Sequence, residues 1–305
     1  MKFYCLALTL LLCLPLITYA QQTLSPVYVK IYGAYGFISP GSFTGEPSKF
    51  TSRIDTGAFS VARKGLGEGL RTGGGIGVIV SDYINVGIDF EYHSSSTLKS
   101  ETRSSEGDVN IRSSTSINYA MSSIIPNVTF KAVTRPAYHV YCRAGLVIAI
   151  PNNITEDYDY AAVQYISGII PNRKVRRTTI RSHAIYALKT GIGYQVSLGA
   201  QFSITPHIRA FAEISGYRLA LNRERFEELT KNKRTATESE RPITPDADND
   251  AITDLSRVII NYKAEGKQTV DYSGVPANRV YTYVQPQKQI NINSVAAGIG
   301  LLYRF

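Results

Sequence analysis

His93 and Ser95 stand two residues apart, with Glu101 and Glu106 close behind. A histidine can take the proton of a serine hydroxyl if an acid orients its ring, so this is the one place where nucleophilic chemistry could be assembled. A second group, Asp246, Asp248, Asp250 and Asp254 in DADNDAITD, has the spacing of oxygen ligands in calcium loops. Ala251 occupies the place of the turn glycine, however, and Arg257 that of the bidentate glutamate. A solvated acidic loop is the favoured reading, with calcium binding at Asp246, Asp248 and Asp250 left open. The glycine-rich stretch from Gly65 to Gly77 has no Gly-Lys-Ser/Thr ending and no following helix, so it is neither a phosphate loop nor a dinucleotide fingerprint. With four histidines in the chain, neither a metal nor another cofactor is expected.

The elements that would hold these residues are announced at the two ends. Lys2 and the apolar run Leu6–Ile17 precede Thr18-Tyr19-Ala20, the layout of a cleaved export signal over residues 1–20. The run is shorter than the roughly 20 apolar residues a transmembrane helix needs. Residues 21–305 are then the mature domain, in which Cys142 is the only cysteine and cannot form an internal disulfide. The formal charge of +9 loses one unit with Lys2 and is spread along the chain. Nucleic acid is therefore not an expected partner.

At the other end, Val295, Ala297, Ile299, Leu301, Tyr303 and Phe305 alternate with small or polar residues. Such a strand has hydrocarbon on one side and a crowded interior on the other. Similar alternation marks seven earlier segments: 27–37, 69–80, 84–94, 116–133, 137–150, 184–204 and 207–219. In the 116–133 segment the apolar phase changes from odd at Ile117, Tyr119 and Met121 to even at Val128 and Phe130, which predicts a bulge near Ile124-Ile125-Pro126. Ser81-Asp82-Tyr83, Thr134-Arg135-Pro136 and Thr205-Pro206 read as tight turns. The other connections, near 38–68, 95–115, 151–183 and 220–288, are long and polar, and Asn222–Arg234 reads as helical. The fold expected is all-β: an eight-stranded antiparallel transmembrane β-barrel with short periplasmic turns and long external loops. Tyr35, Phe37, Phe90, Tyr92 and Tyr186 fall near the loop ends, and Phe130, Tyr138, Phe202, Tyr303 and Phe305 near the turn ends. These would form two aromatic belts.

By phase, Lys30, Arg71, Lys131, Arg143, Lys189, Arg209 and Arg304 face inward with Asp89, Glu91 and Glu213. Buried ions must pair or meet water, so an ion-paired plug is expected. Its basic excess would favour anions if any water path existed. Outside, Arg173, Lys174, Arg176, Arg177 and Arg181 form a basic cluster suited to anionic lipopolysaccharide phosphates or an acidic partner.

These strands, the glycine-rich second hairpin and RPAYHVYCRAGLVIAIP resemble the eight-stranded outer-membrane β-barrel domain family, the OmpA transmembrane-domain and OmpW-like proteins. Arg135-Pro136, Tyr138 and Arg143-Ala144-Gly145 are similar to that family's "rPY…aGvg" stretch, and the Ala20/Gln21 junction with tyrosine-rich strands is similar to Bacteroidetes members. The closing strand, with Leu301, Tyr303 and Phe305, resembles the one by which such barrels are recognised for insertion. The resemblance implies a Gram-negative outer-membrane location, insertion by the barrel-assembly machinery, and contact with outer-membrane lipid and lipopolysaccharide. No peptidoglycan-binding domain follows the last strand, so wall anchoring is not expected. The expected role is structural or surface-interacting and not enzymatic, through loops that meet an external ligand or protein. Two alternatives stand beside it: a narrow anion-preferring pore or small-solute channel, and a lipid-modifying hydrolase at His93 and Ser95.

Overall fold

The structure, a computed structural model, describes residues 26–38, 49–52, 59–60, 65–106, 108–134, 137–166, 174–239, 252–254, 256–265, 268–273 and 279–305. Its elements are strands. In chain order they are β1 (Val27–Ile38), β2 (Lys49–Ser52), β3 (Phe59–Ser60), β4 (Gly69–Ile79), β5 (Ile84–Ser95) and β6 (Leu98–Glu106). Next come β7 (Val109–Asn118), β8 (Ala120–Thr134), β9 (Tyr138–Pro151), β10 (Ile154–Ile166), β11 (Lys174–Leu188) and β12 (Gly191–Ser203). The last are β13 (Ile208–Ser239), β14 (Ile252–Asp254), β15 (Arg257–Lys263), β16 (Thr269–Ser273), β17 (Val280–Pro286) and β18 (Gln289–Arg304).

A ring closes within this sheet. β1 pairs with β4, β4 with β5, β5 with β8 and β8 with β9. β9 pairs with β12, β12 with β13, β13 with β18, and β18 returns to β1, every pair antiparallel. Closure leaves no open edge in the ring, so every strand in it has backbone partners on both sides. The side-chain distribution is the reverse of a water-soluble protein. In β5, Val86, Ile88, Phe90 and Tyr92 are exposed while Asn85, Asp89, Glu91 and His93 are buried. Alternation of this kind is stable when the solvent around the ring is hydrocarbon.

Two of the turns are tight, as their residues predict. Ile84 N–H donates to Ser81 Oγ at 3.1 Å, and Ile208 N–H to Thr205 Oγ1 at 2.9 Å. The opposite connections differ from the expectation of polar loops. β6 pairs with β7, β7 with β10, β10 with β11, and β11 with the distal part of β13. The segments read as loops thus carry the sheet onward as an external wall. Most residues of β7 and β10 are exposed or half-buried on both faces, so the period-two signal fades there. Asn222–Arg234 is strand within β13, not helix, because its backbone bonds to β11 override the helix preference of Glu, Lys and Arg.

Three local readings are corrected. Segment 184–204 is two strands, broken at Lys189-Thr190, where Lys189 N–H donates to Asn222 O at 2.9 Å. Lys189 is exposed at that break and is no interior charge. β8 keeps an unbroken register with β5 from Ala120 to Phe130, with Pro126 opposite Ile88. Its bulge lies between Lys131 and Val133, against β9. The facing of β8 therefore never switches: Met121, Ser123, Ile125, Asn127 and Lys131 are all buried.

Candidate functional site: the ring interior

The inward residues sort into layers along the ring axis. At the middle, Asp89 Oδ2 receives Lys30 Nζ at 2.8 Å and Arg143 Nη1 at 2.5 Å. Arg143 Nη2 bonds Glu213 Oε1, and Tyr141 OH donates to Glu213 Oε2 at 2.9 Å. Two cations meet two carboxylates drawn from β1, β5, β9 and β13, so the tetrad is neutral. Coulomb attraction in a poorly polarisable interior offsets a desolvation cost of several kcal/mol per ion only when partners are this close. Room for it comes from β4. A Cβ at Gly75 would collide with the Asp89 carboxylate, and one at Gly77 with the Tyr28 ring.

One step toward the external wall, Tyr32 OH donates to Glu91 Oε2 at 3.2 Å. The Arg71 guanidinium, fully buried, bonds Ser294 Oγ and lies 4.2 Å from the Tyr217 ring centroid. His93 is also fully buried, and its Nε2 donates to Leu66 O at 2.8 Å. Ser95 Oγ accepts from Tyr119 N–H at 3.0 Å. Glu101, the acid proposed beside them, is exposed and paired with Arg103 and Arg112. The geometry thus gives His93 a structural task, holding the 65–68 segment in the mouth of the ring.

Beside this, and extending above it, lies an apolar layer, with Ile125 opposite Asp89 and Met121 opposite His93. Met121, Ile125, Val147, Ala149, Ile154, Leu219, Leu221 and Ile292 are fully buried together, closed over by Leu66. Tyr186 packs against this cluster and against Phe226, ring centroids 4.8 Å apart, so it is not a belt residue. At the opposite, turn end, Lys131 is buried and Arg209 and Arg304 are half-buried. The basic excess is therefore gathered at one mouth and does not line the interior. Between that mouth and the tetrad is a cavity of about 30 Å³, bordered by Lys30, Asn85, Tyr141, Arg143 and Glu213.

The remaining candidates are spread out. Leu301, Tyr303 and Phe305 are exposed in an outward row, Tyr303 stacking on His207 and meeting Phe305 edge-on. Tyr35, Phe37, Phe90 and Tyr92 at the wall side, and Phe130, Tyr138 and Phe202 at the turn side, are also exposed. Arg173, Asp246, Asp248 and Asp250 lie outside the described residues. Lys174 opens β11, and the exposed Arg176 and Arg177 point to opposite faces of that strand. Asp254 lies in β14 opposite Lys233. Among the described residues no group of His, Cys, Asp and Glu could hold a metal ion. The apolar layer was missed from sequence, although the uninterrupted odd phase from Ile117 through Met121, Ile125 and Asn127 to Lys131 carries its signal.

Known proteins add the family context. The sequence model of the outer membrane protein β-barrel domain matches residues 6–236. No curated protein sequence matches the chain. Among solved structures, the outer membrane protease OmpT of Escherichia coli aligns with 92% of this chain and 94% of its own at 10% identity and a TM-score of 0.27. The COG4313 outer membrane channel of Pseudomonas putida F1 aligns with 94% and 98% at 8% identity and a TM-score of 0.19. A FadL homologue of Pseudomonas aeruginosa aligns with 92% and 90% at 7% identity and a TM-score of 0.15.

Proposed function

The chain belongs to the outer membrane protein β-barrel domain family, and from that premise we propose that it is an eight-stranded transmembrane barrel closed by its own side chains. Its work is done outside, by the wall of strands that the barrel holds above the membrane. The observation that carries this reading is the stacking of the interior, a neutral ion tetrad beneath a fully buried apolar layer. Dry hydrocarbon offers an ion no ligands, so a layer of this kind favours a structural and surface-interacting role over transport.

The length of β13 supports the same reading. A transmembrane strand needs roughly 9–11 residues, whereas β13 has 32. Most of that strand serves the external wall. On this reading an amino-terminal leader over residues 1–20 is removed on export, and the row Leu301, Tyr303, Phe305 presents the last strand to the barrel-assembly machinery. The chain is read as non-catalytic, because His93 is committed to Leu66 O and Glu101 to two arginines.

The second reading, a narrow anion-preferring pore, is favoured by one feature: Lys131, Arg209 and Arg304 gathered at the turn mouth. Conductance of the refolded mature chain in a planar bilayer separates the two. Electrical silence together with heat-modifiable migration is expected of the closed barrel. Steady anion-selective openings would replace it with the pore.

A further inference from the structure

We infer that the outward face of the external wall is a binding groove for the phosphorylated sugar headgroup of an outer-leaflet glycolipid. The inference rests on the membrane-spanning reading above and names the partner of the wall. The groove, of about 1080 Å³, crosses β7, β10, β11 and β13. Its floor follows from register: Asp157 faces His183, Asp159 faces Arg181, and Ala161 faces Arg112. These positions share one face by alternation, and Tyr158 and Tyr160 between them also border the groove.

Three properties select the occupant. The first is height. Ile154 opens β10 beyond the ring and packs against the apolar cluster, and Asp157 is three residues farther along the same strand, roughly 10 Å at the rise of an extended chain. The groove therefore opens sideways beyond the ring and its outward apolar residues, out of reach of acyl chains.

The second is charge. Arg112, Arg181 and Arg257 come to the groove from three different strands. Each is tethered through one nitrogen: Arg112 Nε to Glu101 at 2.9 Å, Arg181 Nε to Asp159 at 3.3 Å, and Arg257 Nη1 to Leu229 O at 3.1 Å. The Arg112 and Arg181 side chains are 65% and 84% exposed. A tethered, solvent-exposed guanidinium is a fork prepared for a phosphate. Arg103, hydrogen-bonded to Glu101, holds that carboxyl below the usual carboxylate range and so keeps the Arg112 tether charged.

The third is polarity. Thr179, Thr230, Ser114 and Asn232 line the groove. Hydroxyls and an amide beside carboxylates suit sugar hydroxyls and do not suit an acyl chain or an apolar protein segment. Asp157 and Asp159 repel a phosphate placed on them, so the phosphate belongs at the arginines and the sugar ring over the carboxylates.

The test uses the full mature chain refolded in detergent and, as probe, the deacylated, phosphorylated inner-core oligosaccharide of a rough-type lipopolysaccharide. Titration calorimetry is run against that probe, its dephosphorylated form and inorganic phosphate. The wild type should bind the phosphorylated probe. The triple variant Arg112→Gln/Arg181→Gln/Arg257→Gln should bind it weaker by on the order of tenfold or more. Arg176→Gln, on the opposite face, should leave binding intact. Equal binding of the dephosphorylated probe, full competition by inorganic phosphate at equal concentration, or unchanged affinity of the triple variant would each overturn the assignment. Conductance and heat-modifiable migration are recorded on the same samples. A conducting wild type removes the closed-barrel reading without touching the titration, whereas lost binding in a silent, folded wild type removes only the groove.

Discussion

The two halves of the ring interior solve the same packing problem with opposite chemistry. On the turn side, Lys30, Asp89, Arg143 and Glu213 fill the space with ions that neutralise one another. On the wall side, Met121, Ile125, Leu219, Leu221 and Ile292 fill it with hydrocarbon, although the outside of the same strands is also apolar. The difference shows what each half can tolerate. An ionic layer depends on every partner being present, because one deletion leaves a buried charge. An apolar layer depends only on volume, and its failures are graded.

That contrast can be broken by substitution, and the effects should fall in a definite order. Arg143→Met removes the shared partner of Asp89 and Glu213, so the loss should be the largest, about 3–5 kcal/mol. Urea unfolding of the barrel in lipid vesicles, followed by the heat-modifiable gel shift, reads it. Leu221→Ala empties part of the apolar layer, where Leu221 is fully buried. The same assay should show about 2–4 kcal/mol. Gly75→Ala sharpens the ionic side without deleting a charge, since its new methyl meets the Asp89 carboxylate and the Lys30 side chain. Overpacking of that kind costs about 1–3 kcal/mol. Lys189→Ala should move the transition by less than about 0.5 kcal/mol, as expected for a surface position. A large loss at Lys189 would restore it to the interior and spoil the neutral count of the plug.

Legibility in the sequence followed the solvent on each side of a strand. From Ile84 to His93 hydrocarbon lies outside and polar groups inside, so the alternation of β5 could be read directly, and Asp89, Glu91 and His93 were placed inward from their phase alone. In β8 the inside is polar at Asn127 and Lys131 and, Ser123 apart, apolar at Met121 and Ile125. The apolar phase seemed to flip there, and the expected bulge was an artefact of equating apolar with outward. Beyond the ring, β11 and distal β13 carry little alternation, and in β10 it is confined to Asp157-Tyr158-Asp159-Tyr160. Their identity as strands comes from pairing between distant segments, such as Arg181 with Asn232, which no local pattern reports. The groove was out of reach for the same reason: Arg112, Arg181 and Arg257 are far apart in the chain and meet only through that pairing.

The claim that the apolar layer closes the barrel is tested most directly by single-channel recording of the wild type beside the double variant Leu221→Gly/Ile292→Gly, each first shown to be heat-modifiable. The account predicts a silent wild type and measurable, anion-preferring conductance in the variant, whose ions would enter through the Lys131, Arg209 and Arg304 mouth. A wild type that conducts as steadily as the variant would contradict it, because the hydrocarbon layer would then not be the seal.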